Sequence, residues 1–162
     1  LLGDSLAGQR AFDLIQVRRA ITQWLGADNR PIGLLALGDA SAFSALVAQA
    51  LFGEYDALAL APLSSTLFRA FSPAGVPLQM VVADLLHTAD IPHIAALASD
   101  HPLLLGFEDS DYLARYPEWA SVLQQSTTIN EGLTETEAIS WLAEQLCFVA
   151  PASCANLPDR NP

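Results

Sequence analysis

Apolar residues recur every three to four positions over residues 9–25, where Phe12, Leu14, Ile15, Val17, Ile21, Trp24 and Leu25 keep the spacing of an α-helix. Gly26 and the polar residues after it end that helix. The pattern then changes. "PIGLLALG" (residues 31–38) is a short continuous apolar run and predicts a strand buried on both faces. Helical period returns over 41–52 through Phe43, Leu46, Val47, Ala50 and Leu51, and Gly53 stops it. "YDALALAPL" (55–63) predicts a second buried strand, and residues 64–77, punctuated by Pro73, Gly75 and Pro77, predict a loop.

Residues 78–99 predict a helix interrupted at "DIP" (90–92). "HPLLLGFED" (101–109) predicts a third strand ending in an acidic turn, residues 110–124 a helix broken near Pro117, and "STTIN" (126–130) a short fourth strand. Thr134 followed three residues later by Glu137 reads as a capping box for the helix "ETEAISWLAEQL". Residues 1–150 form one domain on this reading, and 151–162 an extended tail.

Strands that alternate with helices predict an α/β fold, with a mostly parallel sheet of three or four strands and helices on both faces. A parallel sheet that small exposes apolar surface at its edge. The expected partner is therefore the remainder of a longer chain, or a second protein, that completes the sheet; an oligomer is one form of this.

Charge narrows the function classes. The chain has 162 residues and a net charge of -11, from 18 acids against seven basic residues, all of them Arg. A nucleic-acid backbone is repelled by such a surface. The most apolar window, residues 31–53, contains Asp39 and two internal glycines and reads as strand plus helix, not as a membrane span. His87, His93 and His101 do not share a helix face at ligand spacing, so neither a metal ion nor another cofactor is expected. Cys147 and Cys154 leave two readings open: a small disulfide loop in an exported protein, or a buried Cys147 and an unrelated Cys154 in the tail.

Four segments carry a family resemblance: "LGDSLAGQRAFD" (2–13), "IGLLALGDASA" (32–42), "ADIPHIAALASDHPLLLGFED" (89–109) and "EGLTETEAISWLAEQL" (131–146). In order and spacing they resemble the C-terminal half of an α/β-hydrolase, close to the acetyl-xylan-esterase-like and dienelactone-hydrolase-like branch. The first is similar to that family's L-G-x-S-L-x-G-x-R-x-x-D, with Arg10 and Asp13 as its charged pair. The resemblance implies a nucleophile elbow, G-x-S-x-G, after the first strand.

The catalytic positions depart from that pattern. With Gly38 set as the first glycine of the elbow, Ala40 takes the nucleophile position and Ala42 the second glycine. Alanine has no oxygen with which to attack. Ser41, one residue on, is the fallback nucleophile, in a register that puts Asp39 and Phe43 where small residues belong. The acid position is kept as Asp109, crowded by Glu108 and Asp111. The histidine position falls on Glu131 or Asn130, and all three histidines precede the acid.

The resemblance thus implies a non-catalytic relative acting in binding or scaffolding. The alternatives are an ester hydrolase with a displaced or externally supplied nucleophile, and a small-ligand or cation site at Asp39, Ser64 and Asp109.

Overall fold

Three aliphatic runs and one threonine-rich segment become the strands of a single parallel sheet. The computed structural model describes residues 5–26, 30–71, 75, 77–82, 84–107 and 127–149. The strands are β1 (Gly33–Leu37), β2 (Ala57–Leu63), β3 (Leu103–Phe107) and β4 (Thr127–Glu131). They lie in sequence order, each parallel to the next. The α/β expectation is met, and β4 supplies the fourth strand.

Among the described residues four α-helices cover the sheet: α1 (Leu6–Leu25), α2 (Asp39–Phe52), α3 (Ile91–Ala98) and α4 (Glu135–Val149). Alternation of side chains along the strands divides the interior in two. Leu58, Leu60, Leu103 and Leu105 point into a large cluster with Ile15 of α1, Phe43 and Leu46 of α2 and Ile91 of α3. Ala57, Ala59 and Leu104 point the other way, against Ala138 and Leu142 of α4. Small residues on that second face let α4 sit close. Gly106 belongs to the same face, where a Cβ would stand 2.8 Å from Leu133 Cβ and 2.9 Å from Ala61 Cβ.

Local chemistry sets the helix ends. Ser5 caps α1 by accepting from the Gly8 N–H at 3.0 Å, and Gly26, at φ +79°, closes it. The capping box of α4 forms as expected: the Glu137 carboxylate accepts from both the N–H and the hydroxyl of Thr134, and the Glu137 N–H donates back to Thr134 Oγ1.

The helix expected over 78–99 with an interruption at 90–92 keeps its break before Ile91, but the part before the break is corrected. Only Ile91–Ala98 is α-helical, and two 3₁₀ turns, Leu78–Met80 and Leu85–His87, precede it. Asp84 takes a left-handed conformation (φ 61°), which breaks any helical path. Asp90 then restarts the helix as a buried N-cap, accepting from Ile91 N–H at 2.8 Å, while His93 Nδ1 accepts from the Asp90 N–H at 3.1 Å. The helix expected over 110–124 and the tail 151–162 lie outside the described residues. Cys147, half-buried on α4, is disulfide-bonded; Cys154, the chain's other cysteine, lies outside the described residues.

Candidate functional site

The C-terminal ends of parallel strands are where open α/β sheets bind ligands. Here the described part of that rim comes from the residues after Leu37, Leu63 and Glu131. β1 runs directly into α2 through Gly38, which has φ 90° and ψ 144°. Its N–H donates to Ala61 O at 2.9 Å and its C=O accepts from Ala42 N–H at 2.8 Å, so the turn is pinned to both β2 and the new helix.

This turn corrects the expectation that Ala40 stands at its apex. The left-handed conformation falls on Gly38, the residue directly after β1, and α2 already begins at Asp39. Ala40 lies in the first turn of α2, half-buried against the large cluster, and Ser44 Oγ donates to its carbonyl at 2.8 Å. Ser41 is exposed one position further along the helix. The apex therefore carries no side chain at all, because a Cβ would be strained at that φ although nothing stands within 4 Å of it.

Asp39 and Ser64, two of the three expected ligand-site residues, do meet. The Ser64 N–H donates to Asp39 Oδ1, and the Ser64 hydroxyl donates to Asp39 Oδ2 at 2.8 Å. The Asp39 carboxylate also occupies the first turn of α2, where the helix dipole favours negative charge. The pair ties the end of β2 to the start of α2. Asp109 lies outside the described residues. Glu131 closes β4 opposite Phe107, with Asn130 exposed beside it.

A fully buried carboxylate, missed from sequence, lies deeper. Asp90 is 3% exposed and accepts from the Thr66 hydroxyl, from Leu67 N–H at 2.7 Å and from Ile91 N–H. Its signal was the N-cap position before "IP", yet the partners from Thr66 and Leu67 come from a distant segment. Together these bonds fix the chain that leaves β2.

The histidines serve elsewhere. His87 is exposed beside Asp84, His93 completes the α3 cap, and His101 lies near Gly53. No group of three or more His, Cys, Asp or Glu side chains suited to a metal ion stands among the described residues. No helix among them is long and apolar enough to cross a membrane.

A cavity stands beside β1. A groove of about 390 Å³ runs along the outer side of β1, lined by Arg10, Asp13, Leu14 and Val17 of α1, Leu34–Leu37 of β1, and Ser41 and Ser44 of α2. Ser41 thus borders the β1 edge. Compared with protein-family models, curated proteins and solved structures, the chain matches none of them.

Proposed function

We propose that this chain is a non-catalytic α/β-hydrolase-like module that acts by binding or scaffolding. The observation that carries the reading is the turn after β1. The strain that a nucleophile elbow places on serine falls on Gly38. Gly38 is flanked two residues away on each side by Ala36 and Ala40, so the small-x-nucleophile-x-small spacing is kept around a residue with no oxygen. The Asp39 carboxylate, held by Ser64, sits beside that apex and would repel a developing oxyanion.

His93 Nδ1 accepts from the Asp90 N–H, and His87 stands exposed beside Asp84. Loss of a nucleophile or base costs about 10⁴–10⁶-fold in rate in well-studied triads. The Cys147 disulfide fits the oxidising surroundings of an exported protein.

The test is turnover of p-nitrophenyl acetate by the purified chain. The expected rate equals that of buffer, and Ser41→Ala leaves it unchanged. Ester hydrolysis that disappears in Ser41→Ala would establish the displaced-nucleophile esterase instead.

A further inference from the structure

We infer that the Cys147 disulfide is a redox-sensitive clasp. It holds the C-terminal half of α4 on β1, and its reduction releases that half while the rest of the fold stays in place. The inference goes beyond the binding reading above and does not depend on it.

The two halves of α4 are fastened differently. The start carries the capping box of Thr134 and Glu137, with Glu135 in the same turn, and acidic groups there suit the positive end of the helix dipole. Ala138 is fully buried and Leu142 is 8% exposed. Beyond Leu142 the support thins. Ala143 and Glu144 are exposed, and Gln145, Leu146 and Cys147 are half-buried. The last turn has no basic residue to meet the negative end of the dipole. The last four carbonyls of a helix have no partner within it, so such an end frays unless something ties it. The tie in this structure is the disulfide at Cys147.

What the tie keeps in place is a close approach to β1. α4 packs on β1 and β2. A Cβ at Gly33 would stand 3.1 Å from a Leu142 methyl and 3.2 Å from a Leu146 methyl, so both leucine tips reach the strand where a side chain would otherwise be. Leu35, Trp141 and Leu146 pack against the same small cluster. Leu146 precedes Cys147 directly, so a bond at 147 restrains the leucine that covers the start of β1.

The chemistry is a two-electron exchange. A dithiol reductant passes two electrons and two protons to the Cys147 disulfide; the S–S bond breaks, two thiols form, and the reductant closes to its own disulfide. Cys147 is half-buried, so it is not sealed in the core. Cutting the bond removes its constraint on the open alternatives of that helix end. The covered form of β1 therefore belongs to oxidising surroundings and the uncovered form to reducing ones.

The experiment uses the whole chain, oxidised and then treated with dithiothreitol, with amide exchange read peptide by peptide. Mapping of the oxidised chain should join Cys147 to Cys154, the only other cysteine. Reduction should speed exchange over residues 143–149 by about tenfold or more and leave 135–140 and β2 within about twofold. An apolar dye should bind the reduced chain and not the oxidised one. Reoxidation with glutathione disulfide should restore slow exchange. Cys147→Ser should exchange like the reduced chain, ignore dithiothreitol and stay folded by circular dichroism.

Unchanged exchange over 143–149 on reduction overturns the inference. So does equal acceleration along all of α4, a dye that binds both forms alike, or a Cys147 bond between two copies. Loss of the whole fold on reduction also overturns it, because the bond would then hold the domain and not one end of a helix. Ester turnover is read separately in both forms, so failure of the clasp leaves the non-catalytic reading standing, and an active enzyme leaves the exchange result intact.

Discussion

The two edges of the sheet are made of different chemistry. β1 reads Gly-Leu-Leu-Ala-Leu and carries no charge, proline or hydrogen-bonding side chain. β4 reads Thr-Thr-Ile-Asn-Glu, with Thr128 and Asn130 exposed. Proteins blunt true edges with polar and charged residues, because unpaired peptide groups invite a further strand. β4 follows that rule and β1 does not. β1 has the composition of β2 and β3, which are buried between neighbours, yet its own leucines are only half-covered. The contrast separates an apolar strand, β1, from a polar one, β4, at the two ends of the described sheet.

A charge placed at each edge should separate them most. Leu35→Lys removes an aliphatic contact with α4 and sets an ammonium against apolar side chains; we expect a loss of about 2–3 kcal/mol in urea unfolding. Thr128→Lys on exposed β4 should stay within about 0.5 kcal/mol of the parent. Equal losses would end the distinction.

Glycines sharpen it next. Gly106→Ala, in central β3, drives a Cβ into Leu133 and Ala61 and should cost about 2 kcal/mol in thermal unfolding. Gly33→Ala in β1 meets the flexible tips of Leu142 and Leu146 at 3.1 and 3.2 Å, and should cost less than about 1 kcal/mol.

Asp39→Ala, at the rim where β1 enters α2, removes two bonds to Ser64 and should cost about 1 kcal/mol. Ser64→Ala should cost a similar amount, and the double variant less than the sum, since both break one contact.

The smallest effects are in pH. Tyr55 holds the Leu14 carbonyl of α1 at 2.7 Å, and burial pushes its phenol above the ordinary 10.0. Its contribution is full below pH 10 and is lost as pH rises past the folded value, so alkali should loosen the α1 side first. Glu137 behaves oppositely on α4. Bonds from the Thr134 hydroxyl and N–H hold its carboxyl below the ordinary 4.5. That contribution is present above pH 4.5 and is lost as pH falls through the folded value. Amide exchange at the two helix ends across pH 3–11 checks both, and Tyr55→Phe and Glu137→Gln should each flatten its own limb.

Much of this architecture was legible in the chain because its signals are local. Helical spacing in 9–25, the aliphatic runs of β1 to β3, and Thr134 with Glu137 each depend on residues close in sequence. The 78–99 segment was misread for the opposite reason. Its apolar residues, Met80 and Val82 among them, are buried by packing against the large cluster and not by helical periodicity. The tight turn after β1 was placed two residues too late, since Gly38 suits the start of such a turn as well as its apex. Only the backbone angle distinguishes these.

By itself, then, the sequence determined the order of strands and helices and the caps of α1 and α4. These follow from side-chain size, periodicity and local hydrogen bonding. The tertiary structure alone decided that Asp39 meets Ser64, that Asp90 collects donors from the segment after β2, and that α1, β1 and α2 line one groove. Each of those brings together groups from separate stretches of chain, and their distances depend on how the helices stack on the sheet.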